Sequence, residues 1–210
     1  MDPRVGIEKP HGLSREKLSP PSLLTLRKEL TMETLDNIRT RRSIRKYTDE
    51  PVDHATLEKI VEAASWSPSW KNTQIVRYIA IEDPALKARI AKDCTTGFTY
   101  NAGTMESAPM LIAVCVVKGR CGFEKDGSYT TSRKDTWQMF DAGIASQTFC
   151  LAAHEYGLGT VIMGIFDDTL PDVLGIPEGQ ELVNIICIGH PAEEPEMPKR
   201  KTVSDLLSYK

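Results

Sequence analysis

Arg39-Thr40-Arg41-Arg42-Ser43-Ile44-Arg45-Lys46-Tyr47 places five cations in nine residues of a chain whose formal net charge is −3. A local positive excess on an acidic background implies a partner, and a bound anion is the simplest one. Upstream, Met32 to Thr40 predicts a short helix with Leu35 and Ile38 on one side. Downstream of Arg42, β-branched and aromatic residues predict extended chain, in which alternation makes Ser43, Arg45 and Tyr47 project together. Two guanidinium groups and a hydroxyl converging on one point suit a phosphate monoester, because the guanidinium fork meets its oxygens two at a time. Taken alone, the run also reads as a solvated basic face or as a nucleic-acid patch. The acidic balance of the whole chain argues against nucleic acid as a partner.

Working outward, 210 residues suffice for one domain with a proper core, with or without an arm. A hydrophobic content of 40% and a charged content of 26% are those of an ordinary soluble protein. No apolar stretch approaches the roughly 20 residues that span a bilayer, so no membrane partner is expected. Cys94, Cys115, Cys121, Cys150 and Cys187 make an odd number without C-x-x-C spacing, which favours a reducing, cytoplasmic setting over a disulfide framework. His11, His54, His154 and His190 are scattered, and no metal site is proposed.

Residues 1–31 carry Pro3, Pro10, Pro20 and Pro21 and read as a leader, an expression-derived extension or an arm lying on another subunit. Residues 32–210 form the domain. Asp53 is placed to cap a helix with Leu57, Ile60, Val61 and Ala64 on one face. The loop Trp66 to Gln74 is rich in hydrogen-bonding groups and feeds a strand, Ile75 to Ile81. Pro84 opens a helix to about Lys92, and a short helix precedes Pro109. Met110 to Val117 is a buried strand. Lys118 to Lys134 is a long glycine-containing polar loop, a candidate mobile cover.

Asp135 to Tyr156 predicts the longest helix, apolar on nearly every face, hence buried or shared across a subunit boundary. Thr160 to Phe166 and Leu182 to Ile188 are further strands, with a short helix near Leu170 to Leu174 between them. Strands interleaved with helices imply an α/β or α+β layer architecture.

Gly157-Leu158-Gly159-Thr160 fails as a dinucleotide fingerprint because helix precedes the glycines and strand follows. Gly157 reads instead as the left-handed close of the long helix. The acid pairs Asp167-Asp168 and Glu193-Glu194 read as solvated surface charge. Lys199-Arg200-Lys201 is a second basic cluster, a solvated face or the complement of Arg41, Arg42 and Arg45 around one dianion.

The ordered set of Arg41-Arg42-Ser43-Ile44-Arg45, Ser67 to Gln74, Asp141 to Gln147, Gly157 to Thr160, Met163-Gly164, Gly189-His190-Pro191 and Arg200 resembles the FMN-dependent nitroreductase family. The resemblance spans about Glu33 to Tyr209. It implies an α+β fold, a central mostly antiparallel sheet flanked by helices, and an intertwined homodimer with FMN at the subunit interface. It also implies that Arg41, Arg42, Ser43, Arg45 and Arg200, helped by Lys199 or Lys201, hold the phosphate and ribityl chain. Pro68, Ser69, Trp70 and Asn72 of the partner would lie against the flavin. Asn101 would face the pyrimidine edge, Met163 and Gly164 would offer backbone groups near N5, and Gln147 is a further candidate. Trp70, Val76 and Thr104 depart from residues common in relatives, Thr104 standing where some carry a lysine. The implied chemistry is ping-pong hydride transfer from NADH or NADPH through flavin N5 to a small-molecule acceptor such as a nitroaromatic or quinone, with no catalytic side chain. Specialised relatives, such as a dehalogenase, and a non-catalytic flavin carrier are the alternatives.

Overall fold

The computed structural model describes residues 32–210; the reading of residues 1–31 lies outside them. The elements run α1 (Thr34–Thr40), α2 (His54–Ser65), a 3-10 turn (Trp70–Asn72), β1 (Val76–Ile81), α3 (Pro84–Asp93), α4 (Thr99–Ser107), β2 (Met110–Val117), α5 (Thr136–Glu155), β3 (Gly159–Met163), α6 (Leu170–Val173), β4 (Gln180–Gly189) and α7 (Val203–Leu206). The four strands form one antiparallel sheet in the order β1-β2-β4-β3. This is the α+β architecture the sequence predicts.

β2 shows why the sheet sits at the centre. Its uninterrupted apolar run serves two faces with period two. Met110, Ile112 and Val114 pack with Ile60 and Ala64 of α2 and with Phe149 and Ala153 of α5. Leu111, Ala113 and Cys115 pack with Ile90 of α3, Met105 of α4 and Leu170 of α6. Each fully buried Ile, Leu or Phe stabilises the fold by about 1.5–3 kcal/mol, so both faces are needed. Phe149 is fully buried and stacks on Tyr78 at 5.4 Å, joining α5 to β1.

The ends of the helices follow local chemistry. Asp53 accepts the Thr56 N–H at 2.9 Å and starts α2. At the close of α5, Leu158 N–H donates to Ala153 O and Gly157 N–H to His154 O, with Gly157 at φ +74°. This pairing satisfies two terminal carbonyls and turns the chain into β3. The strand predicted over Thr160 to Phe166 ends sooner, at Met163, because Gly164 and Ile165 leave the sheet for solvent.

α5 is not buried all round. Asp141, Ala145, Phe149 and Ala153 face the body, while Met139, Phe140, Gly143 and Gln147 are exposed. Phe140 is 58% exposed, and on neighbouring α1 Leu35 is 61% exposed. The reading of this helix as buried on every face does not hold within the single chain, because that stripe meets solvent.

The end of the β3–β4 pair is thinned to backbone. Gly159 and Gly189 face each other across the ladder. A Cβ on Gly159 would stand 2.6 Å from Ile44, and one on Gly189 would stand 2.5 Å from Pro109. Only glycine lets the basic segment rest directly on the sheet there.

Candidate functional site

The basic segment runs along the outer side of β3. Ile44 N–H donates to Thr160 O at 3.0 Å, Ser43 bridges Thr160, and Tyr47 bridges Pro191. The expected regular alternation does not occur, because these are single bridges rather than a continuous strand. Ile44 and Tyr47 enter the core, and Ser43, Arg41, Arg42 and Arg45 stay half-buried. Tyr47 therefore does not project with Ser43 and Arg45. Its hydroxyl donates to Ile44 O at 2.6 Å inside the core, where burial pushes its pKa far up.

Arg41 and Arg42 line a cavity of about 390 Å³ together with Thr40, His154, Thr160, Glu193 and Glu194. Arg42 also closes α1: its Nη1 donates to Arg39 O at 2.6 Å and to Arg41 O at 2.9 Å. Arg45 stands over the Tyr100 ring at 5.9 Å. Thr160 Oγ1 is buried without a partner among the described residues. His154 Nε2 lies 2.9 Å from Thr40 Oγ1, and burial, then Arg41 and Arg42, hold its pKa below the ordinary histidine value. Glu193 is not solvated surface charge: it accepts the Arg45 N–H at 2.6 Å.

The second group of residues lies before β1. Trp70 N–H donates to the Asp141 carboxylate at 3.0 Å, and Gln74 N–H to Ser69 Oγ at 3.1 Å. Lys71, Asn72 and Gln74 all hold positive φ, of 46°, 55° and 48°. Left-handed backbone at non-glycine residues costs about 1–3 kcal/mol each and clusters at functional sites. Asp141, only 3% exposed, anchors this loop from α5. It also stands beside the Cys121 thiol, which burial and Asp141 push up to about 12. Sequence reading included Asp141 only within a motif block; a carboxylate on the buried side of an apolar helix was its signal. Pro68, Ser69 and Asp141 border an apolar cleft of about 580 Å³ with Leu57, Val61 and Tyr78.

These two groups occupy opposite edges of the sheet. Arg41, Arg42, Ser43 and Arg45 flank β3, whereas Pro68, Ser69, Trp70 and Asn72 lead into β1. In the order β1-β2-β4-β3 the edges stand three strand spacings apart, about 14 Å. Met163 and Gly164 lie at the far end of β3, with the Met163 side chain buried against Cys187 Sγ at 3.7 Å and Gly164 exposed. Only the backbone of Met163 is left to face a ligand. Asn101 is buried on α4, and Gln147 is exposed on α5. Lys199, Arg200 and Lys201 are exposed and are not among the residues that line the cavity bordered by Arg41 and Arg42. Among the described residues, no group of three or more His, Cys, Asp or Glu side chains could hold a metal ion. No described helix is long and apolar enough to cross a membrane.

Fold and site together define an α+β protein with a basic segment on one sheet edge and a left-handed, aromatic loop on the other. Residues 38–190 match the model of the Nitroreductase family, and the chain belongs to that family. It is 29% identical over 181 residues to the FMN reductase [NAD(P)H] of Bacillus subtilis, covering 80% of this chain and 71% of that protein. It is 26% identical over 208 residues to the iodotyrosine deiodinase of Nematostella vectensis, covering 87% and 77%. Nitroreductase A from Vibrio parahaemolyticus shares its fold with a TM-score of 0.71 at 26% identity, over 84% of this chain and 74% of that one.

Proposed function

We propose that this chain is a homodimeric, cytoplasmic, FMN-dependent oxidoreductase that takes hydride from NADH or NADPH and reduces a small-molecule acceptor such as a nitroaromatic or quinone. One observation carries the reading: the residues suited to a phosphate and those suited to a flat ring lie on opposite edges of one sheet. A second copy can bring its β1 edge to the first copy's β3 edge. The exposed apolar stripe of α5, with Leu35 and Ile38 of α1, offers the surface for that pairing. Five free, buried cysteines agree with a reducing compartment.

The residues present fit FMN. Arg41, Arg45 and Ser43 are the donor set a phosphate monoester requires; of these Arg41 lines the cavity of about 390 Å³, and the unpartnered Thr160 Oγ1 belongs to a residue of its wall. Glu193 holds the Arg45 backbone, while the guanidinium makes only a long 3.3 Å contact to Ser43 O, which an anion would replace. The second copy's Pro68 and Trp70, fixed by Asp141 through the Trp70 N–H, would present a rigid surface to the ring and exclude water from it. Backbone groups of Met163 and Gly164 remain at the open end of β3 for polar contact. Lys199 and Arg200 complete the phosphate site in this reading, reaching it only once the dimer forms. When bound, FMN supplies the hydride-accepting and electron-donating chemistry, and the protein supplies position and charge.

The test is the visible spectrum of the purified protein before and after anaerobic NADH or NADPH. The expected outcome is a yellow dimer that bleaches and regains colour with a nitroaromatic. A colourless monomer that rejects added FMN defeats the proposal. The similarity to a deiodinase favours reductive dehalogenation as a second reading, for which halide release from a halophenol is the assay.

A further inference from the structure

The hairpin between β2 and α5 carries a charge for which the proposed chemistry has no use. Residues 118–134 contain Lys118, Arg120, Lys125, Arg133 and Lys134 against Glu124 and Asp126, a net of +3 within a chain of net −3. Both acids are engaged. Glu124 pairs with Lys71 at 3.0 Å, and Asp126 accepts from Ser128 N–H at 3.0 Å and from its hydroxyl at 2.6 Å. All five cations are exposed, and none forms an ion pair among the described residues.

This segment is built rather than slack. Phe123 bridges Tyr129, with their rings 4.9 Å apart. Glu124 N–H donates to Ser128 O and Thr130 N–H to Gly122 O. Gly122 holds φ +84°, and a Cβ there would collide with Lys134 O. Trp137 Nε1 donates to Thr131 Oγ1 at 2.9 Å. Two ties fasten the hairpin to the strained loop: the Lys71–Glu124 pair, and Cys121, which sits beside the Asp141 carboxylate that holds Trp70. Wherever the loop 68–72 meets a ring, the basic hairpin comes with it.

The geometry points to the hairpin as the element that selects substrates bearing an anionic group remote from the reacting atoms. This inference rests on the oxidoreductase reading above. Fixed cations beside a binding surface raise the encounter rate and affinity for one sign of charge and weaken as salt screens them. Two sources supply such a group: the 2′-phosphate of NADPH, or a carboxylate on the acceptor.

The test uses the full-length protein and a Lys125→Gln/Arg133→Gln/Lys134→Gln variant. Three ratios are read: kcat/KM for NADPH over NADH, kcat/KM for 4-nitrobenzoate over nitrobenzene, and the calorimetric Kd of adenosine 2′,5′-bisphosphate for protein with and without the substitutions. The expected result is a loss of about tenfold in at least one kinetic ratio, carried by KM and erased in wild type by high salt. A fall in the first ratio, with weakened bisphosphate binding, identifies the donor phosphate as the source. A fall in the second alone identifies the acceptor carboxylate. Both ratios unchanged in a variant that keeps its flavin overturns the inference. If the triple variant loses flavin, Lys125→Gln at the tip alone is measured against the same criteria. Should the wild-type protein prove to carry no flavin, the oxidoreductase reading fails by its own spectrum. The bisphosphate titration then decides the hairpin separately, since no binding, or binding that the variant keeps, overturns it.

Discussion

The two edges of the sheet are opposites in chemistry. The β3 edge is met at Thr160 by Ser43 and Ile44, whose chain goes on to pair with residues 190–192 beyond β4, and it is polar, charged and hydrogen-bonded to its cover. The β1 edge pairs only with β2 among the described residues, borders an apolar cleft, and is entered through three left-handed residues. A sheet edge left open is a template for another chain. Among the described residues, one edge of a protomer thus carries the arginines suited to a phosphate and no apolar cleft, while the other has the cleft and, in place of those arginines, the basic hairpin tied to its loop. The contrast teaches why the proposed function calls for two copies: neither edge alone holds both the arginine set and the apolar wall.

The strongest challenge to that contrast is complementation. Arg41→Ala/Arg45→Ala removes two charge-assisted contacts of about 1.5–3 kcal/mol each, and FMN affinity is expected to fall roughly 10²- to 10⁴-fold with the dimer intact. Pro68→Asp damages the other edge. Each homodimer is expected to be flavin-poor by fluorescence titration, whereas the co-expressed, doubly tagged heterodimer regains one flavin per dimer. A heterodimer as empty as its parents would show that each protomer builds its site alone.

Asp141→Ala sharpens the comparison from the β1 side. It strands the Trp70 N–H and frees the strained loop, so a stability loss of about 1–3 kcal/mol is expected in urea unfolding. An unchanged midpoint would show that the loop holds itself.

The smallest effect probes the β3 side by pH. His154 has its folded pKa below the unfolded value of about 6.5. The unfolded chain therefore takes up the proton first, and stability falls as pH drops below about 6.5 toward the folded pKa. His154→Gln should remove that part of the slope. Matching wild-type and variant slopes between pH 7.5 and 5.5 would contradict it.

Much of this was legible in the sequence where one local rule governs. β2 was readable residue for residue because eight apolar positions admit no other placement, and α2 because Asp53 marks its start. Gly157 was readable because helix order fixed its role. What escaped has a common cause: it depends on which segments become neighbours. Alternation misplaced Tyr47, since a chain held by isolated bridges need not keep period two. Glu193 looked solvated because nothing local reveals that Arg45, 148 residues away, offers it an N–H. The separation of the two residue groups follows from strand order, which no single motif encodes.

The facing glycines at positions 159 and 189 have a mechanical consequence. They act as a shim of zero thickness, so the height of the guanidinium groups above the ladder is set by how closely the Ile44 side chain seats on bare backbone. Swelling residue 159 by a single methyl would lift Ile44, and the cations on either side of it would ride outward together like keys on one bar.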